Sequence, residues 1–164
     1  MNTQPAAVPA SWPDKGDMMP DVALTSPAGG QVKPSDFLGR KLVLFFYPKD
    51  DTPGCTTENL DFSALKVDFD AAGAALLGVS KDPPAKHVKF AAKHALTAPL
   101  ASDAETGGLS DALGIWTMKS MYGRDYMGME RTTYLVDETG RIARVWRKVK
   151  VKGHASEVLG AVVA

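Results

Sequence analysis

The sequence predicts an α/β fold in which one central mixed sheet carries helices on both faces. Residues 42–47 form a continuous apolar run, typical of a strand buried on both sides. A second apolar run at residues 74–80 follows a helical pattern. Residues 132–136 and 142–147 are strand-like and joined by a polar turn that ends at Gly140, which predicts an antiparallel hairpin. Buried strands alternating with helices, followed by this hairpin, require a sheet of mixed direction.

Two amphipathic helices connect the first predicted strands. Apolar residues recur at helical spacing after Cys55, at Phe62, Leu65 and Phe69, and Gly73 lies where a C-cap glycine is expected. The second helix begins after the proline pair at residues 83–84 and continues to about residue 91. Each helix follows a buried strand, which is the alternation that an α/β sheet needs.

The remaining elements are shorter. Residues 99–102 form a candidate strand, residues 107–113 a short helix and residues 155–163 a closing helix, and no internal repeat is present. The complete order is that of thioredoxin-like architecture.

Length and composition favour one domain. The chain has 164 residues, of which 45% are hydrophobic, enough for a single core. We assign residues 17–164 to that domain and residues 1–16, which contain three prolines, to a flexible N-terminal arm without signal-peptide character. No apolar stretch approaches the roughly 20 residues that cross a bilayer. We therefore expect a cytoplasmic protein.

Charge and ligand counts exclude several classes of function. Lys plus Arg and Asp plus Glu number 19 each, so no net field favours nucleic acid or an anionic membrane. The three histidines are widely spaced, and we expect His87 and His94 to be solvated or half-buried on one helix. With a single cysteine, the chain offers neither an internal disulfide nor a Cys/His metal site. We expect no metal and no other cofactor.

Cys55 lies where a loop meets a helix. Thr52 fits the N-cap, Pro53 the first helical position, Gly54 the second and Cys55 the third. Unpaired N–H groups and the helix dipole favour a thiolate there. Two interpretations compete, a well-capped helix and a nucleophile site where Thr52, Gly54 and Cys55 surround a substrate. If the Thr52 hydroxyl accepts the Cys55 N–H, that donor is less available to a ligand.

The same residues carry a family resemblance. Pro48, Thr52 and Cys55 match the P-x-x-x-T-x-x-C signature of peroxiredoxins, and residues 47–58 resemble the peroxiredoxin Q, or bacterioferritin comigratory protein, group. The likeness extends from about Gly16 to the C-terminus and includes residues 78–82, 122–128 and 131–137.

This resemblance implies a thioredoxin-like fold and a thiol peroxidase that needs no metal, haem or flavin. Cys55 would be the peroxidatic cysteine, and the Thr52 hydroxyl would position the peroxide. Pro48 would shield the pocket and Arg131 would be the charge partner of the thiolate, whereas without the resemblance a plain strand-edge arginine is the favoured interpretation of Arg131. Substrates would be hydrogen peroxide or organic hydroperoxides, and the family includes monomers, so we expect a monomer or weak dimer.

The sequence departs from its relatives at Leu60, where many peroxiredoxin Q proteins have a resolving cysteine. No internal disulfide can form, so an external thiol such as thioredoxin, glutaredoxin, glutathione or a partner's cysteine must reduce the Cys55 sulfenic acid. Further oxidation by excess peroxide is then expected. The alternative function is a peroxide sensor or redox-dependent binding protein that turns over poorly. A thioredoxin-like reductase is disfavoured because the chain has no CxxC motif.

Two groups near this motif leave alternatives open. Glu58 either pairs with a cation, of which Arg131, Arg124 and Lys49 are candidates, or is an ordinary solvated helix residue. A methionine group with aromatic neighbours lies between residues 116 and 129 (Met118, Met121, Met127 and Met129). It fits core or loop packing, an apolar collar at the pocket, or an adaptable surface for a reductase.

Overall fold

A computed structural model describes residues 12–104 and 107–164. The strands in these residues are β1 (Leu24–Thr25), β2 (Gln31–Val32), β3 (Lys41–Phe46), β4 (Ala74–Ser80), β5 (Leu100–Ser102), β6 (Trp116–Met121), β7 (Arg124–Met129), β8 (Thr132–Val136) and β9 (Ile142–Trp146). The helices are α1 (Pro53–Ala64), α2 (Lys66–Ala71), α3 (Pro84–His94), α4 (Leu109–Ala112) and α5 (His154–Val163), and a 3₁₀ turn covers Pro34–Phe37.

Seven strands form the central sheet in the order β2-β1-β5-β4-β3-β8-β9. The strands β5, β4 and β3 are mutually parallel, and all other neighbouring pairs are antiparallel. The mixed sheet predicted from the sequence is therefore confirmed. Its parallel centre comes from strand–helix–strand crossovers, and its antiparallel edge comes from the predicted β8–β9 hairpin.

Side chains of β3 alternate between two apolar cores. Leu42, Leu44 and Phe46 enter the core that also holds α4, whereas Val43 and Phe45 enter the core that holds α1, α2, α3 and α5. Because both faces of β3 are buried, an uninterrupted apolar run is what the strand requires. The predicted central strand and the placement of helices on both faces are confirmed.

The helix predicted after Cys55 is interrupted once. Helix α1 ends at Ala64, and Leu65, with φ −98° and ψ 2°, separates it from α2, which begins at Lys66. Phe62 and Phe69 remain in the same apolar core, with ring centroids 5.9 Å apart. Because a phenylalanine on each side of the break faces the same core, the apolar spacing in the sequence does not reveal that α1 and α2 are separate helices.

The methionine-containing segment forms a two-stranded β6–β7 hairpin that the sequence analysis did not predict. Its turn is made by Tyr122 at φ 52° and Gly123 at φ 74°, the backbone of a tight hairpin turn. Met129 is buried in the core, whereas Met118 is 63% exposed. Most side chains of this hairpin are exposed, and β7 lacks the regular apolar/polar alternation that predicts a half-buried strand.

The N-terminal arm is only partly described, because residues 1–11 lie outside the described residues. The Trp12 ring lies over Gly114, where a Cβ would come within 2.1 Å of the ring. The Gly16 N–H donates to the Ile142 carbonyl oxygen at 2.8 Å. The division into an arm at residues 1–16 and a domain at residues 17–164 stays a prediction. None of the helices in the described part of the chain has the length and apolarity needed to cross a membrane.

Strand pairing brings two distant segments to one end of the sheet. Phe46, the last residue of β3, pairs with Thr132, the first residue of β8. The loop that follows β3 leads to α1 and Cys55, while Arg131 directly precedes β8. The antiparallel register therefore places Arg131 beside the start of α1.

Candidate active site

The start of α1 leaves backbone donors unused. Thr52 has extended backbone angles and its carbonyl accepts the Thr56 N–H at 2.8 Å, so it is the N-cap residue, as predicted. Its hydroxyl donates to the Lys49 carbonyl oxygen at 2.8 Å and makes no cap hydrogen bond. Within the described residues, the N–H groups of Gly54 and Cys55 have no acceptor. The anticipated competition between cap and ligand for the Cys55 N–H does not arise.

Cys55 is buried at the base of these donors, with 1% of its surface exposed. It belongs to the apolar core that contains Phe45, Tyr47 and Phe62. Arg131 Nη2 lies 3.4 Å from the Cys55 Sγ and donates to it. A guanidinium at this distance stabilises a thiolate and leaves other N–H groups for an incoming oxygen.

Glu58 holds the other side of the same guanidinium. Arg131 Nη1 donates to Glu58 Oε1 at 2.5 Å, and the Glu58 side chain is 1% exposed. Of the three cations considered from the sequence, Arg131 is the one that pairs, and the solvated alternative is wrong. Burial raises the pKa of Glu58 to about 7, although Arg131 opposes the shift. Burial lowers the pKa of Arg131, but Glu58 and Cys55 outweigh it and the net shift is upward.

Gly54 and Pro48 complete the set named from the sequence. A Cβ added at Gly54 would lie 3.3 Å from Arg131 Nη2, so the absence of a side chain keeps the approach to the arginine open. Pro48 is half-buried at the beginning of the loop that joins β3 to α1. The structure thus brings Cys55, Arg131 and Gly54 into one cluster, with Thr52 and Pro48 in the segment that leads to it.

A buried hydrogen-bond network beneath this segment was missed. The Tyr47 hydroxyl donates to Asp50 Oδ1 at 2.6 Å, and Asp50 Oδ2 lies 2.6 Å from His87 Nδ1. His87 Nε2 lies 3.0 Å from the Ala101 carbonyl oxygen. The carbonyl can only accept, so Nε2 carries a proton, and Asp50 and His87 share a further proton at Nδ1. The prediction that His87 is solvated or half-buried is wrong, since its side chain is fully buried.

The sequence does contain a signal for this histidine. His87 precedes Phe90 by three residues, and both are buried residues of α3. A histidine on the apolar face of a helix requires a polar partner inside the protein, and Asp50 is that partner. His94, which is half-buried as predicted, instead contacts Asp51 at 2.8 Å. Two consecutive aspartates of the loop before α1 therefore contact α3, Asp50 in the interior and Asp51 at the surface.

Metal-binding clusters do not accompany this site. Across residues 12–104 and 107–164, no group of three or more His, Cys, Asp or Glu side chains is placed to hold a metal ion. The groups that the structure brings together at the site are the Cys55 thiol, the Arg131 guanidinium, the Glu58 carboxyl and the N–H groups of Gly54 and Cys55.

A thioredoxin-like sheet with a buried cysteine at a helix N-terminus and an arginine on its sulfur defines a thiol-based redox protein. Residues 15–145 match the model of the AhpC/TSA family. The chain is 46% identical to peroxiredoxin Bcp of Bacillus subtilis over 144 residues, which cover 88% of this chain and 91% of that protein. The chain belongs to the AhpC/TSA family and is a peroxiredoxin of the Bcp, or peroxiredoxin Q, group.

Solved structures agree with this assignment. Xanthomonas campestris peroxiredoxin Q matches with a TM-score of 0.84 and 44% identity, covering 91% of this chain and 96% of that one. A structure concerned with alkyl peroxide reduction by the Xanthomonas campestris bacterioferritin comigratory protein matches at 0.81 and 42%, covering 89% and 97%. The thioredoxin-like fold inferred from the order of elements is confirmed.

Proposed function

We propose that this protein reduces hydrogen peroxide or organic hydroperoxides at Cys55 and is recycled by an external thiol. The observation that carries the proposal is the 3.4 Å contact between Arg131 Nη2 and Cys55 Sγ at the start of a helix with unused N–H groups. A cation and backbone donors around one sulfur are the groups needed to hold a thiolate and an oxygen that gains negative charge. The names of the relatives support the same chemistry.

The proposed oxidation transfers one oxygen. The Cys55 thiolate attacks the terminal peroxide oxygen, an S–O bond forms, and the O–O bond breaks. The leaving hydroxide or alkoxide takes a proton and departs as water or alcohol, while Cys55 becomes a sulfenic acid. One thiol then displaces water to form a mixed disulfide, and a second thiol releases Cys55 and leaves as a disulfide.

Magnitudes indicate that thiolate formation is the smaller part of this catalysis. Lowering a thiol pKa from about 8.5 to about 6 raises the thiolate fraction at pH 7 about 30-fold. The accompanying loss of nucleophilicity is roughly 10-fold. A net gain of only a few-fold leaves most of the acceleration to groups that stabilise the breaking O–O bond, which we assign to Arg131 and the N–H groups of Gly54 and Cys55.

The other site residues receive positioning roles in this proposal. The Thr52 hydroxyl donates to the Lys49 carbonyl oxygen, so its lone pairs remain able to accept a hydrogen bond from the peroxide. Gly54 keeps space beside Arg131, and the half-buried Pro48 shields the pocket from water. We also propose a cytoplasmic location and a monomer or weak dimer. Thioredoxin, glutaredoxin and glutathione are the candidate reductants.

A peroxide sensor is the second candidate function. One observation favours it: Cys55 is the only cysteine and is 1% exposed, so a bulky reductant reaches its sulfenic acid only if the start of α1 opens. Slow recycling would leave the oxidised form populated long enough to act as a signal. Steady turnover with an added thiol separates a peroxidase from a sensor.

The first test is stopped-flow tryptophan fluorescence of the reduced protein mixed with hydrogen peroxide. Trp146 lies in the same apolar core as Cys55 and serves as the reporter. We expect rapid oxidation of the wild type to a sulfenic acid, identified by mass, and no signal from Cys55→Ser. Oxidation no faster than that of free cysteine would overturn the peroxidase proposal.

A further inference from the structure

A basic segment lies directly behind the catalytic arginine. Residues 147–152 contain Arg147, Lys148, Lys150 and Lys152, although the chain as a whole has no net charge. Arg147 lies 3.6 Å from Asp14, whereas the three lysines have no carboxylate within 4.0 Å among the described residues. Positive charge is therefore concentrated locally, on a protein that would otherwise not attract anions.

Backbone geometry fixes this segment against Arg131. The Val149 N–H donates to the Arg131 carbonyl oxygen at 2.9 Å. Lys148 has φ 48°, in the left-handed region that L side chains rarely adopt. The turn at Lys148 thus brings the segment back to the backbone of the residue whose guanidinium contacts Cys55. The basic segment contacts the backbone of Arg131, and the Cys55 sulfur contacts the guanidinium of the same residue.

A groove of about 510 Å³ opens between this segment and β6. It is lined by Thr117, Met118, Lys119, Glu130, Arg131 and residues 148–149. Lys119 and Lys148 face one carboxylate, Glu130, while the guanidinium of Arg131 is held by Glu58 and Cys55, so the groove carries a net charge of about +1. A volume of this size suits a small organic ligand, since such sites typically measure about 300–1,000 Å³.

The polar groups of the groove are arranged for an anion with an apolar body. Lys119 Nζ donates to the Met129 carbonyl oxygen at 2.6 Å, which fixes the ammonium and leaves it further N–H groups. Lys148 is exposed and free of carboxylate partners among the described residues. Met118 and Val149 supply apolar surface beside these cations.

We propose that this groove binds the carboxylate of a small molecule that reacts at Cys55. The inference rests on the proposed thiol-peroxidase function and adds a subsite to it. Two sources share this chemistry: a hydroperoxide with a carboxylate, which would bind during oxidation, and a thiol with carboxylates, which would bind during recycling. A concave site of this volume favours a small ligand over an acidic protein.

The test measures the two half-reactions separately. The oxidation arm compares a hydroperoxide of a medium-chain carboxylic acid with its methyl ester by stopped-flow fluorescence. The recycling arm compares glutathione with its diethyl ester on protein oxidised beforehand at Cys55. We expect the acid to react more efficiently than the ester in at least one arm, and the arm that responds identifies the source.

Three single-charge variants locate the effect. Lys148→Gln removes the charge but keeps a polar, unbranched stem, and it should reduce the efficiency of the acid about two- to fivefold, the range of one partly exposed charge contact, without affecting the ester. Glu130→Gln removes the opposing carboxylate and should improve the acid by a similar factor. Lys152→Gln is the matched control, because Lys152 belongs to the same basic segment but does not line the groove.

Each other outcome contradicts the subsite. Equal rates for acid and ester in both arms overturn it. Equal losses in Lys148→Gln and Lys152→Gln indicate general electrostatic steering instead of binding in the groove. If thioredoxin replaces glutathione in the recycling arm, a Lys148→Gln defect that appears with thioredoxin alone indicates a protein-docking surface. If wild type does not react even with hydrogen peroxide, the proposed peroxidase function has failed, and this outcome is distinguishable from failure of the subsite alone.

Discussion

Asp50 and Glu58 are buried carboxylates at the two ends of the segment that carries Cys55, and their surroundings differ. Both oxygens of Asp50 have partners, the Tyr47 hydroxyl on one and His87 on the other. Glu58 has Arg131 on Oε1, whereas its Oε2 is buried without a partner among the described residues.

The difference separates a carboxylate whose two oxygens both have partners from one with an orphaned oxygen. The contacts of Asp50 hold the loop after β3 against α3. The orphaned oxygen of Glu58 carries a burial penalty, and desolvation raises the pKa of Glu58 to about 7. Asp50 therefore anchors the segment, and Glu58 shares the guanidinium of Arg131 with Cys55.

The largest expected effect is the loss of stability on replacing Asp50. Asp50→Ala leaves the Tyr47 hydroxyl and His87 Nδ1 buried without their acceptor. We expect the free energy of unfolding to fall by about 2–6 kcal/mol, because two buried hydrogen-bonding groups each lose their partner. Urea denaturation measures it.

Asp51→Asn is the matched control for this prediction. Asp51 lies next to Asp50 but contacts Lys93 and His94 at the surface, and asparagine tolerates its φ of 62°. We expect no measurable change in stability. If the two variants lose equal stability, the buried anchor has no special role and the comparison fails.

The next effect concerns the arginine at the Glu58 end. Arg131→Met preserves much of the apolar stem but removes the guanidinium from Cys55 Sγ. We expect oxidation of Cys55 by hydrogen peroxide to slow about 100- to 1,000-fold, as on removal of a group that stabilises developing charge. Stopped-flow fluorescence measures the rate.

Two further variants test whether the slower oxidation is specific to Arg131 and whether Glu58 acts through it. Arg124→Met serves as the control, because Arg124 is exposed at the β6–β7 turn, and it should oxidise like wild type. Glu58→Gln should change the oxidation rate when Arg131 is present and leave it unchanged in the Arg131→Met background. An equal effect in both backgrounds would show that Glu58 acts on Cys55 without the arginine.

A smaller effect is the pH dependence of stability. The folded pKa of Glu58 is raised from 4.5 to about 7, so the folded state binds this proton more tightly than the unfolded state. Its contribution is complete below pH 4.5 and is lost as the pH rises through 7. We expect wild type to lose up to about 3 kcal/mol relative to Glu58→Gln between pH 5 and pH 8. A constant difference across this range would mean that Glu58 does not titrate there.

The sequence predicted those features that depend on local pattern. The apolar run of β3, the N-terminal position of Cys55 and the β8–β9 hairpin each follow from residues close together in the chain. The β6–β7 hairpin was missed because most of its side chains are exposed and Tyr126-Met127-Gly128-Met129 lacks regular apolar/polar alternation. Gly123 was the one signal for its turn, since glycine readily adopts the positive φ that the turn requires, but the preceding Tyr122 is not a usual turn residue.

The resemblance named the residues and the Arg131–Cys55 contact, and Arg131 was one of three candidates for Glu58, but the buried partners of the loop before α1 were missed. The family signature named Cys55, Thr52 and Pro48, and Arg131 followed from the same resemblance, but their catalytic roles remain a proposal. The Asp50–His87 pair joins residues 37 positions apart. Such a pair depends on how α3 packs beside the loop, and no spacing within the sequence encodes that packing. The acceptor of the Thr52 hydroxyl, which is the Lys49 carbonyl oxygen, likewise depends on the fold of the loop backbone, which only the structure describes.

The smallest expected effect separates rate from stability at the Glu58 end. Gly54→Ala should stabilise α1 by up to about 1 kcal/mol, since alanine is the better helix former. Its Cβ would lie 3.3 Å from Arg131 Nη2, and the arginine cannot withdraw freely because Glu58 and Cys55 both hold it. Oxidation should therefore slow a few-fold, and the strain against Arg131 should offset the gain in helix propensity, so that the stability of the whole protein changes little. Gly160→Ala in α5, where a Cβ meets no atom within 4 Å, should raise stability and leave the rate unchanged. If Gly54→Ala oxidises as fast as wild type, the oxidation rate is not sensitive to a small displacement of Arg131. An effect of Glu58 on Cys55 through the position of Arg131 would then be ruled out.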